Sequence, residues 1–298
     1  MPPSLRTTAK DYYDSFPPFG NYAGDILSGL TSNGLLGNAP IPGLVVTPAC
    51  DLANRKVETV TYLPIISTLA YFGTPAFLPE LLQELEGQLN VLQLGGYFES
   101  ANKFFPPTSE SINELKTDLE IRKNKANNSA KDKEAIQRLL AGLRVISLVR
   151  NPELAEASVT DLSQLFKKKW PGIMKRIITN SYASDIHFLP ADGEPESWAC
   201  IKNHSLVLFR YPIAAPVELF ECAQDTSLKD WGGVVDRISE VVPAAQAFRL
   251  QRPIKHLSLR SGFLSDLLTR FVAMHIRLGS PDFTDETVAV YMKALGAE

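Results

Sequence analysis

Gly43-Leu44-Val45-Val46-Thr47-Pro48-Ala49-Cys50-Asp51-Leu52-Ala53-Asn54, followed by Val57-Glu58-Thr59-Val60-Thr61-Tyr62-Leu63-Pro64-Ile65-Ile66, decides how the chain reads. Gly43–Thr47 is a compact apolar run of strand length and β-branched character. Val57–Ile66 is a second run of strand character, with alternation at its start. Asp51–Lys56 is the polar connection between them. Upstream, Gly24-Asp25-Ile26-Leu27 opens another short strand. Gly34, Gly37, Asn38, Pro40 and Pro42 make the intervening stretch a loop.

Outward from this β-rich start, residues 1–20 read as an arm that carries Tyr12, Tyr13, Phe16 and Phe19 and is broken by Pro17-Pro18-Phe19-Gly20. Residues 75–150 turn helical. Leu78, Leu81, Leu82, Leu85, Leu89 and Leu92 recur in steps of three and four and share one helical face. Ser109 is the expected N-cap of a second helix through Leu115 and Leu119. Ile136, Leu139, Leu140, Leu143 and Ile146 define a third helix, ending near Asn151-Pro152. The polar stretch 122–133 between the last two is an exposed tip, with Lys125, Asn128 and Lys131 as protease-sensitive positions. Thr160–Tyr182 is read as helical, broken near Trp170-Pro171-Gly172, with the basic cluster Lys167-Lys168-Lys169 and Lys175-Arg176.

β character returns at His187-Phe188-Leu189-Pro190 and Ser205–Phe209, separated by the turn residues Asp192-Gly193-Glu194-Pro195. From about Val234 onward the reading is helical, with Leu264, Leu267, Leu268, Phe271, Val272 and His275 on one face. Gly279 and Pro281 stop that helix, and Thr284-Asp285-Glu286 caps a last one through Tyr291.

The expected fold class is therefore α+β: a small antiparallel β-barrel split by a helical insertion, with a helical C-terminal subdomain. Its parts are residues 1–74 (arm and first part of the barrel), 75–183 (insertion), 184–222 (second part of the barrel) and 223–298 (C-terminal subdomain). The strand starting at His204 is expected to join the early strands across more than 100 intervening residues.

Composition sets limits. The chain has 298 residues, 45% hydrophobic and 21% charged, so a sizeable core forms without staples. A formal net charge of −3 leaves no global basic excess, and a nucleic-acid site would have to be local. Cys50, Cys200 and Cys222 are odd in number, widely spaced and without a C-x-x-C pair, consistent with reduced thiols in a cytoplasmic protein. No stretch approaches the ~18 apolar residues of a membrane span. P-loop, dinucleotide, H-E-x-x-H, G-x-S-x-G and EF-hand motifs are missing, and His187, His204, His256 and His275 are scattered. Neither cofactor nor metal is expected.

Gly24-Asp25-Ile26, the strand Gly43–Thr47, the polar turn ending at Asn54 and the closing Pro64-Ile65-Ile66-Ser67 together resemble the MazF/PemK family over about residues 20–70. That resemblance implies a small antiparallel barrel and, in many members, a toxin endoribonuclease that cuts single-stranded mRNA. Two departures bear on activity. Ile41-Pro42 stands where the family carries an Arg-Pro pair, and Ile66 stands where it carries a threonine. An isoleucine can neither donate to nor accept from a phosphate; Arg55, Lys56 or Ser67 would have to substitute.

Two further features carry chemistry. Cys50, in a turn after a strand, would be a nucleophile or sensor if His204 lay near enough to lower its pKa. Its structural alternative is a small residue beside the turn former Asp51. Arg249, Arg252, Lys255 and Arg260, with Phe248, Phe263 and Phe271 among them, form a basic and aromatic set suited to RNA or to an acidic partner. The leading expectation is a non-catalytic regulatory protein on a degenerate MazF-like barrel. It would hold a protein partner of sigma-factor, protease or antitoxin type in a bacterial stress or antiphage pathway. By analogy of fold alone, the MazF-like anti-sigma component of CRISPR-linked Lon systems is the comparable case. The alternatives are a metal-independent endoribonuclease acting on single-stranded RNA and a Cys50-dependent hydrolase or sensor.

Overall fold

The computed structural model describes residues 8–102, 104–125, 129–150, 153–191, 201–276, 284–287 and 290. The chain begins with a short helix α1 (Ala9–Tyr12) leading into strand β1 (Tyr13–Asp14), followed by β2 (Asp25–Leu30) and β3 (Ile41–Val45). The connection after β3 contains a short helix, α2 (Ala49–Ala53). β4 (Thr59–Ser67) runs into α3 (Thr68–Tyr71). A helical insert follows: α4 (Leu78–Val91), α5 (Ser109–Lys123), α6 (Ala130–Ile146), α7 (Val159–Phe166) and α8 (Trp170–Ile178). Then come β5 (Ile186–Leu189), β6 (Ser205–Leu208), β7 (Ile213–Pro216), α9 (Val217–Gln224), α10 (Trp231–Ser239), β8 (Ile254–Leu259) and α11 (Ser261–His275).

The strands form one curled antiparallel sheet in the order β1-β8-β2-β3-β4-β6-β5, with β7 also on β4. The two runs that open the sequence reading pair as neighbours, Gly43 opposite Pro64 and Val45 opposite Tyr62. β4 also pairs across the insert, with β7 from Thr59 to Tyr62 and with β6 from Ile65 to Ser67. Pro64 has no N–H to donate, and it falls where β4 exchanges one partner on this edge for the other.

Side chains alternate across a strand, so a sheet buried on both faces serves separate cores. Ile26, Leu44, Leu63, Ile65, Val207, Leu257 and Leu259 point to the inside of the curl, with Leu267 of α11. Their neighbours Leu27, Val45, Tyr62 and Ile213 point outward, under Leu219, Phe220, Val235 and Phe248. Ile66, Leu206 and Leu208 face the insert, where Leu81, Leu85, Leu139, Leu143 and Leu165 pack together. Gly43 is required at its crossing: a Cβ there would lie 2.7 Å from Leu30 Cδ1 and 2.9 Å from Tyr62 Cδ2.

The leucine spacing of α4 and the apolar face of α6 are present as read, with Thr108 rather than Ser109 capping α5. The break in Thr160–Tyr182 falls at Lys167–Lys169, a 3-10 turn, just before Trp170. Glu84 is buried between α4 and its neighbours, held by Arg138 and by Lys169 at 2.6 Å.

The C-terminal region differs from the helical expectation. β8 lies between β1 and β2 in the sheet, with Leu257 opposite Ile26 and Leu259 opposite Tyr13. Residues 223–298 therefore contribute the strand next to the edge strand β1, and α11 closes over the same core. The turn Asp192–Pro195, Cys200, Asn128, and the stop at Gly279 and Pro281 lie outside the described residues. Among the described residues, no helix is long and apolar enough to cross a membrane.

Candidate partner-binding site

The arm is tied down at several points. Tyr13 Oη donates to the carbonyl of Pro190 at 2.6 Å, joining the two ends of the sheet order. Tyr12 stacks on Phe263 at 3.9 Å between centroids, and its carbonyl accepts from Arg260 N at 3.0 Å. Asp14 Oδ1 accepts from Phe16 N at 3.1 Å.

Further along, Lys255 of β8 grips the arm from below. Its Nζ donates to the carbonyl of Pro18 at 2.9 Å, to that of Gly20, and to Asp25 Oδ2 at 3.0 Å. Asp25 is fully buried and its Oδ2 also accepts from Tyr22 N at 2.8 Å. Burial pushes the Asp25 carboxyl up from its ordinary range, while the Tyr22 N–H and Lys255 pull it back. The Gly-Asp-Ile opening of β2 thus encodes an ion pair that fixes the arm.

What this anchoring presents is Phe16-Pro17-Pro18-Phe19. Phe16 is 91% exposed and Phe19 82%. A cleft of about 530 Å³ lies on one side, lined by Phe19, Tyr22, Leu52, Arg55, Val217 and Glu221. A second, of about 750 Å³, is lined by Phe16, Pro17, Phe19, Arg252, Ile254 and Lys255 among others. Phe19 borders both.

The residues proposed from sequence fall at two ends of β4. Cys50, Arg55 and Lys56 precede it. Cys50 is exposed at the start of α2, its Sγ 3.5 Å from Asp51 Oδ1. Arg55 has φ of 48° and pairs with Glu221 at 3.2 Å, with its side chain 78% exposed. Lys56 is exposed. Ser67 ends β4 and caps α3, accepting from Ala70 N at 3.1 Å. His204 is beside it: its carbonyl accepts from Thr68 N at 2.8 Å, and its Nδ1 accepts from Ala191 N at 2.9 Å. Nine residues of strand at about 3.3 Å each put roughly 26 Å between the two groups. Ser67 and His204 are brought together; Cys50 and His204 are not, and neither are Arg55 and Ser67.

The C-terminal cations are largely engaged. Arg249 pairs with Asp236. Arg252 donates to the carbonyls of Ala223 at 2.9 Å, Asp225 at 2.6 Å and Leu228 at 3.3 Å, closing the C-terminal end of α9 and the turn after it. Arg260 is exposed at the N-cap of α11. Lys125 and Lys131 are exposed on either side of the insert's tip. Sequence reasoning noted the arm aromatics but missed Asp25, Glu221 and the two clefts. The signal for Asp25 was its position, an acid at the mouth of a buried strand.

No family model, no curated protein and no solved structure matches this chain.

Proposed function

We propose that the chain is a non-catalytic binding protein that holds a protein partner on the arm face, built on a MazF-like barrel split by the helical insertion. Support for the barrel comes from the inner core, to which every strand except β7 contributes, and from the bond between Tyr13 of β1 and Pro190, the residue that follows β5. Support for the lack of catalysis comes from the separation of Arg55 and Cys50 from Ser67 and His204, and from the capping bond that engages Ser67. The family-type arginine and threonine positions are Ile41 and Ile66, both buried.

The observation that carries the reading is the pair Phe16 and Phe19. Two phenylalanines more than four-fifths exposed, on a segment fixed at both ends, add nothing to the core. Aromatic side chains carried on a backbone that is fixed beforehand serve an interface as anchors, because little backbone entropy remains to be lost on binding. A sigma factor, protease or antitoxin in a bacterial stress or antiphage pathway is the kind of partner this reading carries forward.

The test has two arms. Labelled single-stranded RNA incubated with the protein and no metal should remain intact. Purification from the native host should return a protein companion. Repeated recovery of a bare monomer contradicts the proposal.

One observation favours a second reading. Arg55 is an exposed cation in the cleft beside Phe19 and Tyr22, the pairing of charge and ring that single-stranded RNA uses. Metal-independent cleavage lost on Arg55→Ala would establish the endoribonuclease instead.

A further inference from the structure

We propose that the chain's own C-terminal segment, from Asp285 to Gly296, docks as a helix in the apolar groove along α11. The inference goes beyond the partner-holding reading: none of the described residues lining the two clefts beside the arm belongs to α11.

Of the 15 residues of α11, Leu267 alone is buried. It packs into the inner core, with Phe271 and Met274 partly buried beside it. Leu264, Leu268, Val272 and Ile276 recur in steps of four along the adjoining face. Val272 is 49% exposed and Ile276, the C-cap, 63%. These four line a groove of about 610 Å³. At 1.5 Å per residue, Leu264 to Ile276 spans about 18 Å. An apolar stripe of that length facing water is what a second helix covers.

The course of the chain after α11 selects the occupant. Arg277 to Glu298 follow directly, and Gly279-Ser280-Pro281 supply turn residues at once. Thr284 then starts a helix: its Oγ1 accepts from Thr287 N at 3.3 Å, and residues 285–287 and 290 are helical. In the sequence from there, Val288, Tyr291, Met292 and Leu295 fall at i, i+3, i+4 and i+7, one apolar stripe. Glu286, Val290 and Lys293 fall on the opposite side, and Val290 is 64% exposed, as an outer position should be. A helix from Asp285 to Gly296 would span about 17 Å, close to the length of the groove. A connection as short as 277–284 returns one helix antiparallel on another. Tethered in this way, the segment meets the groove at an effective concentration on the order of millimolar, ahead of a second copy or a separate partner.

The experiment is hydrogen exchange on the full chain, read by mass spectrometry over residues 289–296. A helix of about twelve residues alone in water is marginal and exchanges fast. In the parent these amides should exchange at least about tenfold more slowly than in Val272→Asp/Ile276→Asp, which puts charge in the groove wall. Both positions are exposed, so β3 and β4 should keep their protection in that variant. Tyr291→Asp/Leu295→Asp, in the segment itself and away from the sheet's core, should speed exchange equally. Val290→Asp, on the outer side, should leave the rate within about twofold of the parent. Fast exchange in the purified parent, which would leave the groove to a separate partner, overturns the proposal. So does an equal loss of protection in Val290→Asp, or protection that disappears on dilution, as docking by a second copy would give.

Discussion

Replacing Lys255 by methionine tests the ion pair that holds the arm. The change keeps the aliphatic length and removes the charge. Asp25 then loses a cation 3.0 Å away and keeps its bond from Tyr22 N in a fully buried position. The carbonyls of Pro18 and Gly20 lose their donor, but they lie on an exposed arm and regain water. Stranding one charge of a buried pair costs about 3–5 kcal/mol, whereas removing both charges is often nearly neutral. Lys255→Met should therefore lower the unfolding free energy by about 3–5 kcal/mol, and Asp25→Asn/Lys255→Met should recover at least half of that loss. Urea unfolding followed by circular dichroism reads both.

The pH dependence has a definite sign. The folded-state pKa of Asp25 is raised, so the native state binds more protons than the unfolded chain between the two pKa values. Stability contributed by this group falls as pH rises through that window. Without Lys255 the pKa rises further, and lowering the pH from 7 towards 4 should narrow the deficit of the single variant. A loss below about 1 kcal/mol, or a double variant as unstable as the single one, would refute this account of the arm.

Three other outcomes follow from individual residues. His187 in β5 is buried, neither ring nitrogen has a hydrogen-bond partner, and burial pushes its pKa down to about 4, with Asp266 opposing and Arg270 assisting. The unfolded chain then binds the extra proton between about 4 and 6.5, so stability should fall by about 3 kcal/mol as pH drops through that range, and His187→Phe should flatten the slope. Gly142→Ala places a Cβ 2.4 Å from Leu85 Cδ2 and 3.1 Å from Leu165 Cδ1, and should cost about 1–3 kcal/mol in the same urea assay. Phe16→Ala/Phe19→Ala should leave stability within about 0.5 kcal/mol of the parent, because neither ring is buried.

Much of the fold is legible in local pattern. The runs around Leu44 and Tyr62 are long, apolar and β-branched, and they form β3 and β4. The leucines of α4 repeat at helical spacing over four turns. The strand at Ser205 reads as a strand from its short apolar run, and the structure pairs it with β4 across the insert as expected.

β8 was hidden for physical reasons. Ile254-Lys255-His256-Leu257-Ser258-Leu259 is short, polar on one face and embedded among arginines, so it reads as the wet side of a helix. Only its pairing with β2, more than 200 residues earlier, makes it a strand, and a register shift between Ile26 and Leu27 disturbs the pattern there. β1 is two residues long and exists only because Leu259 and Ser258 lie beside it.

The candidate site was harder still. Arg252 and Lys255 look like free cations in sequence, yet their partners are carbonyls and an acid at separations of up to 237 residues. Cys50 and His204 could be paired on paper because nothing local shows that β4 runs its full length between them.

The most direct test of the central claim is native mass spectrometry of the chain purified from its own host, parent beside Phe16→Ala/Phe19→Ala. The account predicts a stoichiometric protein companion on the parent that the double variant leaves behind, with both chains equally folded. A companion retained by the variant, or a bare parent chain, would contradict it.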